Sequence, residues 1–161
     1  MWKGWIGLVF PVWMACGGNG KSDRCGEFFE PYPDLISDRS RTAENANLIA
    51  AMAAYSDNEF GTASELLVKE LKSAQNVEQI RMYLASCYLG LGRPFDAELQ
   101  LDFVENASRQ HYAEAAEWYT VLCWLCSDQH IRALEGARTI AGKERHAYKQ
   151  RAAELAKALS A

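Results

Sequence analysis

From about Glu44 to the end of the chain, apolar residues recur three and four positions apart with charged residues between them. That is the spacing of helices that bury one face. Near the C-terminus, Tyr148, Ala152, Leu155 and Leu159 step by 4, 3 and 4, while Lys149, Arg151, Glu154 and Lys157 fall on other sides of the same helix. Small and apolar positions also repeat at longer range. Ala51 returns as Ala85, Ala63 as Ala97 and Leu67 as Leu101, each 34 residues on, and Asn58, at a predicted turn, returns as Gly92. A step of 36 carries the set on to Val121, Ala133, Ala137 and Asp128, so the third copy needs two inserted residues, which "ASRQHY" can hold. Each copy reads as two amphipathic helices joined by a tight turn. Ala63, Ala97 and Ala133 belong where the paired helices approach most closely, and a larger side chain there would push them apart. Gly92 can end a helix and Pro94 can open the next. Gly142 separates the third pair from a last helix. The predicted fold is all-α: a short helical-hairpin solenoid of about three pairs, closed by a C-terminal capping helix because stacked pairs leave an apolar end.

The period and these residues resemble the tetratricopeptide repeat over residues 44–141. In the middle copy Leu84-Ala85, Tyr88, Gly92, Ala97 and Leu101 match the family's apolar–small pair, aromatic, turn glycine, small crossing residue and second-helix apolar residue. Arg81 departs from the large apolar residue usual early in the repeat. In the first copy Ala51, Phe60, Ala63 and Leu67 fit, with Tyr55 one place beyond the expected aromatic; in the third, Trp124 and Ala133 fit. The resemblance implies a concave groove lined by the first helix of each pair. Its inward positions are Leu48, Met52 and Tyr55, then Met82, Ser86 and Leu89, then Trp118, Leu122 and Leu125. Such an apolar lining implies a partner with a hydrophobic or aromatic motif rather than an acidic tail held by Lys and Arg. The alternative is that some of these side chains, Leu122 and Leu125 above all, pack between repeats.

The N-terminal twenty residues follow a different pattern. Lys3 is followed by an uncharged, mostly apolar run from Gly4 to Ala15, about the length of a signal-peptide core and short of a membrane span, and then by polar "GGNGKSD". Val12-Trp13-Met14-Ala15-Cys16 resembles a lipobox, with Trp13 in place of the usual Leu; the resemblance implies cleavage after Ala15 and lipidation at Cys16. "ACGGNGKS" (15–22) also has the spacing of a phosphate-binding P-loop. That motif needs a buried strand before it and a helix after it. Pro11 interrupts the candidate strand, and Gly26, Pro31 and Pro33 interrupt the candidate helix. The lipobox accounts for the stretch better. With "FFEPYPDLI", "EAAEWY" and the closing "HAYKQRAAELAKAL", the chain also looks like small repeat lipoproteins of Bacteroidota-type bacteria. That implies a cell-envelope location, the outer membrane over the inner.

The net charge of the 161-residue chain is −4, and removal of residues 1–15 would take away only Lys3. Without clustered positive charge, a nucleic-acid surface is not expected. Cys16, Cys25, Cys87, Cys123 and Cys126 fit no familiar disulfide framework, and a remainder of this length does not require one. His111, His130 and His146 are too scattered for a metal site and read as surface residues. Cys123-Trp124-Leu125-Cys126 has redox spacing, but it falls at the end of an apolar helix, where the dipole disfavours a thiolate; two small buried residues is the better reading. Asp23, Glu27, Glu30 and Asp34 read as solvated linker charges, and Asn106-Ala107-Ser108 as an incidental glycosylation triplet.

Residues 28–36, "FFEPYPDLI", are too apolar for a plain tether. Pro31 and Pro33 favour an extended backbone, which suits docking into an aromatic-lined groove. The expected order is a signal peptide (1–15), a lipidated linker with the aromatic–proline segment (16–43) and a helical domain (44–161). The expected function is a membrane-anchored adaptor in protein–protein interaction or envelope assembly, without catalysis, cofactor or metal. Its partner would carry a hydrophobic or aromatic motif, its own residues 28–36 among the candidates. The alternative is an enzyme, either a P-loop nucleotide hydrolase through residues 15–22 or a thiol oxidoreductase through Cys123 and Cys126.

Overall fold

A computed structural model describes residues 23–72, 74, 76–107 and 110–160. The stretch 15–22, with Cys16, and Ser108 of the glycosylation triplet lie outside the described residues. Among those described, the chain forms α-helices α1 (Asp23–Phe28), α2 (Ala46–Ser56), α3 (Phe60–Glu70), α4 (Val77–Gly90), α5 (Pro94–Glu105), α6 (Ala113–Cys126), α7 (His130–Gly142) and α8 (Lys149–Leu159), with one 3₁₀ turn at Gln110–Tyr112. No strand is present among them. The fold is all-α and built of helical hairpins: α2–α3, α4–α5 and α6–α7, each helix packed on the next, with α8 against α7.

The hairpins turn by one device. Asn58, Gly92 and Asp128, the three positions related by 34 and 36 residues, have φ of 59°, 70° and 60°. In each case the following amide, of Glu59, Arg93 or Gln129, donates 2.8 Å to the carbonyl five residues back, of Ala54, Tyr88 or Trp124. The amides of Asn58, Gly92 and Asp128 donate to Tyr55, Leu89 and Leu125 at 3.0, 3.0 and 3.2 Å. These paired bonds satisfy carbonyls that the helix end leaves free, and they require a left-handed residue at the pivot. Pro94 then opens α5, where its missing amide costs nothing. Asn76 caps α4 by accepting from the Gln79 amide at 3.2 Å.

Small residues set the helix crossings. Ala63, Ala97 and Ala133 are fully buried, as are Leu67, Leu101 and Ala137 one turn later. Two glycines permit closer approach still. A Cβ at Gly90 would lie 2.3 Å from the Phe60 ring, and one at Gly136 would lie 2.6 Å from Val121 Cγ2. One continuous apolar core results, running from Phe28, Tyr32 and Ile36 through all three hairpins to Leu155.

The region expected to be a linker differs most from expectation. Residues 23–28 form α1, which packs on α6. Cys25 of α1 is disulfide-bonded to Cys126 at the end of α6, 101 residues away. The cysteine spacing, which fits no familiar framework, did not indicate this pairing. The reading of Cys123 and Cys126 as two small buried residues holds for Cys123, a buried free thiol like Cys87, and is corrected at Cys126, which is partly exposed and bonded to Cys25, so the two are not a disulfide pair.

Candidate functional site

The chain from Phe28 to Ile36 lies across α6, α4 and α2, the first helices of the three hairpins. Phe28, Tyr32 and Ile36 are buried, Phe29 and Asp34 half-buried, and Pro31, Pro33 and Leu35 exposed. Between Glu30 and Leu35 the hydroxyls of the first helices hold its backbone. Tyr119 Oη of α6 donates to the Glu30 carbonyl at 2.8 Å. Tyr55 Oη of α2 donates to the Tyr32 carbonyl at 2.7 Å. Ser86 Oγ of α4 accepts from the Tyr32 amide at 2.9 Å and lies 2.7 Å from Tyr55 Oη. Tyr83 Oη of α4 donates to the Pro33 carbonyl at 3.2 Å and accepts from the Leu35 amide at 2.9 Å.

The Tyr32 ring meets Tyr83 and Tyr119 edge-on at 5.6 and 5.9 Å, and Tyr55 meets Tyr83 the same way at 5.3 Å. Edge-to-face rings at these distances pair each ring's positive rim with its neighbour's negative face. Burial pushes the Tyr32 phenol up to about 12 and also raises those of Tyr55, Tyr83 and Tyr119. All four therefore stay protonated at neutral pH. Tyr55, Tyr83 and Tyr119 keep the hydrogen that a peptide carbonyl needs.

Both ends of the segment are pinned. At its start stand the disulfide, Arg24 donating to the Ala158 carbonyl, and Arg151 of α8. Arg151 donates to the Phe28 carbonyl at 3.2 Å and pairs with the Glu30 carboxylate at 3.0 Å. At its end, Asp34 accepts from the amides of Ile36 and Ser37 at 2.8 and 3.0 Å, from Ser56 Oγ of α2 at 2.9 Å and from Ser37 Oγ. Burial alone would raise the Asp34 carboxyl, but these hydrogen bonds outweigh it and hold the group below its ordinary value. Asp34 is thus a fixed turn residue rather than a solvated linker charge. Glu27 and Glu30 are exposed.

Of the residues expected to line a groove, Met52, Tyr55, Met82, Ser86, Leu89, Trp118 and Leu122 are buried, as is Leu125. They are thus closed off from solvent, and residues 28–36 lie against the face to which Tyr55 and Ser86 belong. Tyr55 and Ser86 bond to the covering segment, whereas Leu48 is half-buried and lines a separate cleft of about 610 Å³ with Arg39, Asn45 and Glu70. Tyr83 and Tyr119 were not among the expected residues. They stand 36 apart, at equivalent positions of the second and third copies, and that equivalence is the signal that marks them.

No protein-family model, curated protein or solved structure matches the chain.

Elsewhere the chemistry is sparse. Burial pushes the Cys87 thiol up to about 12 and raises that of Cys123 as well, so neither favours a thiolate. His111 and His130 are exposed, but the expectation of surface histidines fails at His146, whose side chain is only 1% exposed. His146 Nδ1 accepts from the Tyr148 amide at 3.1 Å. Its Nε2 lies 3.2 Å from Glu117 Oε2, which also pairs with Lys143, but it makes no aligned hydrogen bond. Among the described residues no cluster of metal-ligating side chains is present, and no helix is long and apolar enough to cross a membrane.

Proposed function

We propose that the protein is a non-catalytic adaptor of tetratricopeptide type, tethered by lipid at Cys16 to the cell envelope, the outer membrane over the inner. The reading gives its first-helix face the task of holding an extended peptide with aromatic and proline residues. The observation that carries it is the way Tyr55, Tyr83, Ser86 and Tyr119 aim at main-chain atoms of residues 30–35. Side chains that satisfy a peptide's backbone, beside a slot that accepts one aromatic ring, form a receptor for extended chain of that composition. Residues 28–36 are its resident occupant, and a partner of the same chemistry would compete with them. The three repeats related by 34 and 36 residues support the assignment to this repeat class.

Two measurements test the reading. Intact mass of the mature protein should reveal loss of residues 1–15 and added acyl chains at Cys16, and Cys16→Ala should leave the precursor unprocessed. A fluorescent peptide of sequence GEFFEPYPDLIS should bind the full chain carrying Tyr32→Ala, in which the resident is weakened, while a scrambled peptide should not. A mature protein starting elsewhere removes the anchor, and equal binding of the two peptides removes the receptor.

A further inference from the structure

We infer that the Cys25–Cys126 disulfide is a redox latch on this face: closed, it keeps residues 28–36 seated; opened by a dithiol, it lets them leave and makes the face available to a peptide from another chain. The inference rests on the reading of the face as a peptide receptor.

The latch stands at the end of the segment farthest from its connection to the helices. Residues 28–36 join α2 through residues 37–45, which are exposed except for Asn45. Their other end continues into α1, a helix of six residues whose covalent hold on the array is Cys25. A segment fixed at both ends can leave its site only by local unfolding. One fixed at a single end exchanges on and off, with an effective concentration set by its tether. Between the two ends the polar contacts are largely neutral tyrosine and serine hydrogen bonds, individually weak and readily re-formed by a similar peptide. Opening the latch therefore shifts an equilibrium that a partner can complete.

The chemistry balances without any further reagent. A thiolate of the dithiol attacks Cys126 Sγ, since Cys126 is partly exposed while Cys25 is buried. The S–S bond breaks, and Cys25 leaves as a thiolate and takes up a proton. The second thiol of the reductant then displaces Cys126 from the mixed disulfide. Cys25 and Cys126 end as two thiols, and the reductant, having lost two electrons and two protons, ends as a disulfide.

The test uses the full wild-type chain, oxidised or treated with dithiothreitol, and follows amide hydrogen exchange together with binding of the GEFFEPYPDLIS peptide to the Tyr32→Ala chain in both redox states. On reduction the Tyr32 and Leu35 amides should exchange at least tenfold faster while the amides of α3, α5 and α7 keep their protection. The peptide should bind the reduced chain at least tenfold more tightly, and Cys25→Ser should behave as reduced without any dithiol. Unchanged protection of Tyr32 and Leu35 overturns the latch, and so does loss of protection throughout α3, α5 and α7, which would make the disulfide a staple of the whole fold. Peptide binding that is equal in both redox states also overturns the latch but keeps the receptor. Accelerated exchange at Tyr32 and Leu35 with no peptide bound in either state overturns the receptor.

Discussion

Asp128 occupies a left-handed conformation that an L-residue adopts at a cost of roughly 1–2 kcal/mol, while Gly92 does the same work at the equivalent turn with no such cost. Asp128→Gly is accordingly expected to stabilise the fold by up to about 1 kcal/mol, and Gly92→Ala to destabilise it by about as much; urea melts of the two variants should move in opposite directions. The turns were legible because their chemistry is local and recurs with the repeat. Asp34 and Glu105 were not, because their settings are assembled from distant segments. Asp34 has a depressed carboxyl pKa, so its contribution is present above the unfolded value of 3.8 and is lost as pH falls through the lower folded value. Glu105 has the opposite sign. Burial first, and then Asp102, Glu117 and Glu98, raise its carboxyl despite a bond from Thr120, so it weighs against the fold as pH rises above 4.5. Asp34→Asn should lower the melting temperature at pH 7, and Glu105→Gln should raise it, with both differences shrinking toward pH 3. A pH-independent difference would separate either effect from titration.

At the scale of elements, the crossings and the covering segment make distinct demands. Ala97 is fully buried where α5 crosses its neighbours, so Ala97→Leu should cost roughly 1–3 kcal/mol through overpacking. Lys157→Ala, on an exposed site of α8, should leave the melting temperature almost unchanged. The segment's hold can be weakened at one point: Tyr119→Phe removes the donor to the Glu30 carbonyl and should cost about 0.5–1.5 kcal/mol. Cys25→Ser frees the start of the covering segment alone, so the denaturant melt of the three hairpins should shift by well under the roughly 2–5 kcal/mol that loss of a fold-wide staple costs. Sequence periodicity located the three hairpins and the last helix, since each carries its own apolar stripe. It could not find α1, too short to carry a period, nor pair Cys25 with Cys126, since spacing alone does not fix which cysteines meet. The apolar first-helix positions were visible, but the sequence alone did not reveal what lies over them. The 36-residue step that relates Tyr83 to Tyr119 was visible in the sequence, but the carbonyls of Pro33 and Glu30 that their hydroxyls meet were not.

For the molecule as a whole, residues 24–36 do something that hairpin stacking does not. Arrays of this kind ordinarily gain or lose whole hairpins freely, because each hairpin touches only its neighbours. Here one stretch of chain touches α8 at Arg151, α6 at Tyr119 and Cys126, α4 at Tyr83 and Ser86, and α2 at Tyr55 and Ser56. It runs along the array as a ruler of fixed length. Had a fourth hairpin been inserted between α5 and α6, Cys126 would stand one repeat beyond Cys25, and the tyrosines that now match the carbonyls of residues 30, 32 and 33 would fall out of step with them. A deleted hairpin would leave Glu30 or Tyr32 without its donor. With such a cover in place, duplication of a hairpin, the usual route by which repeat arrays diversify, would break the match. Any relative with more or fewer hairpins would need a covering segment lengthened or shortened to match, or none at all.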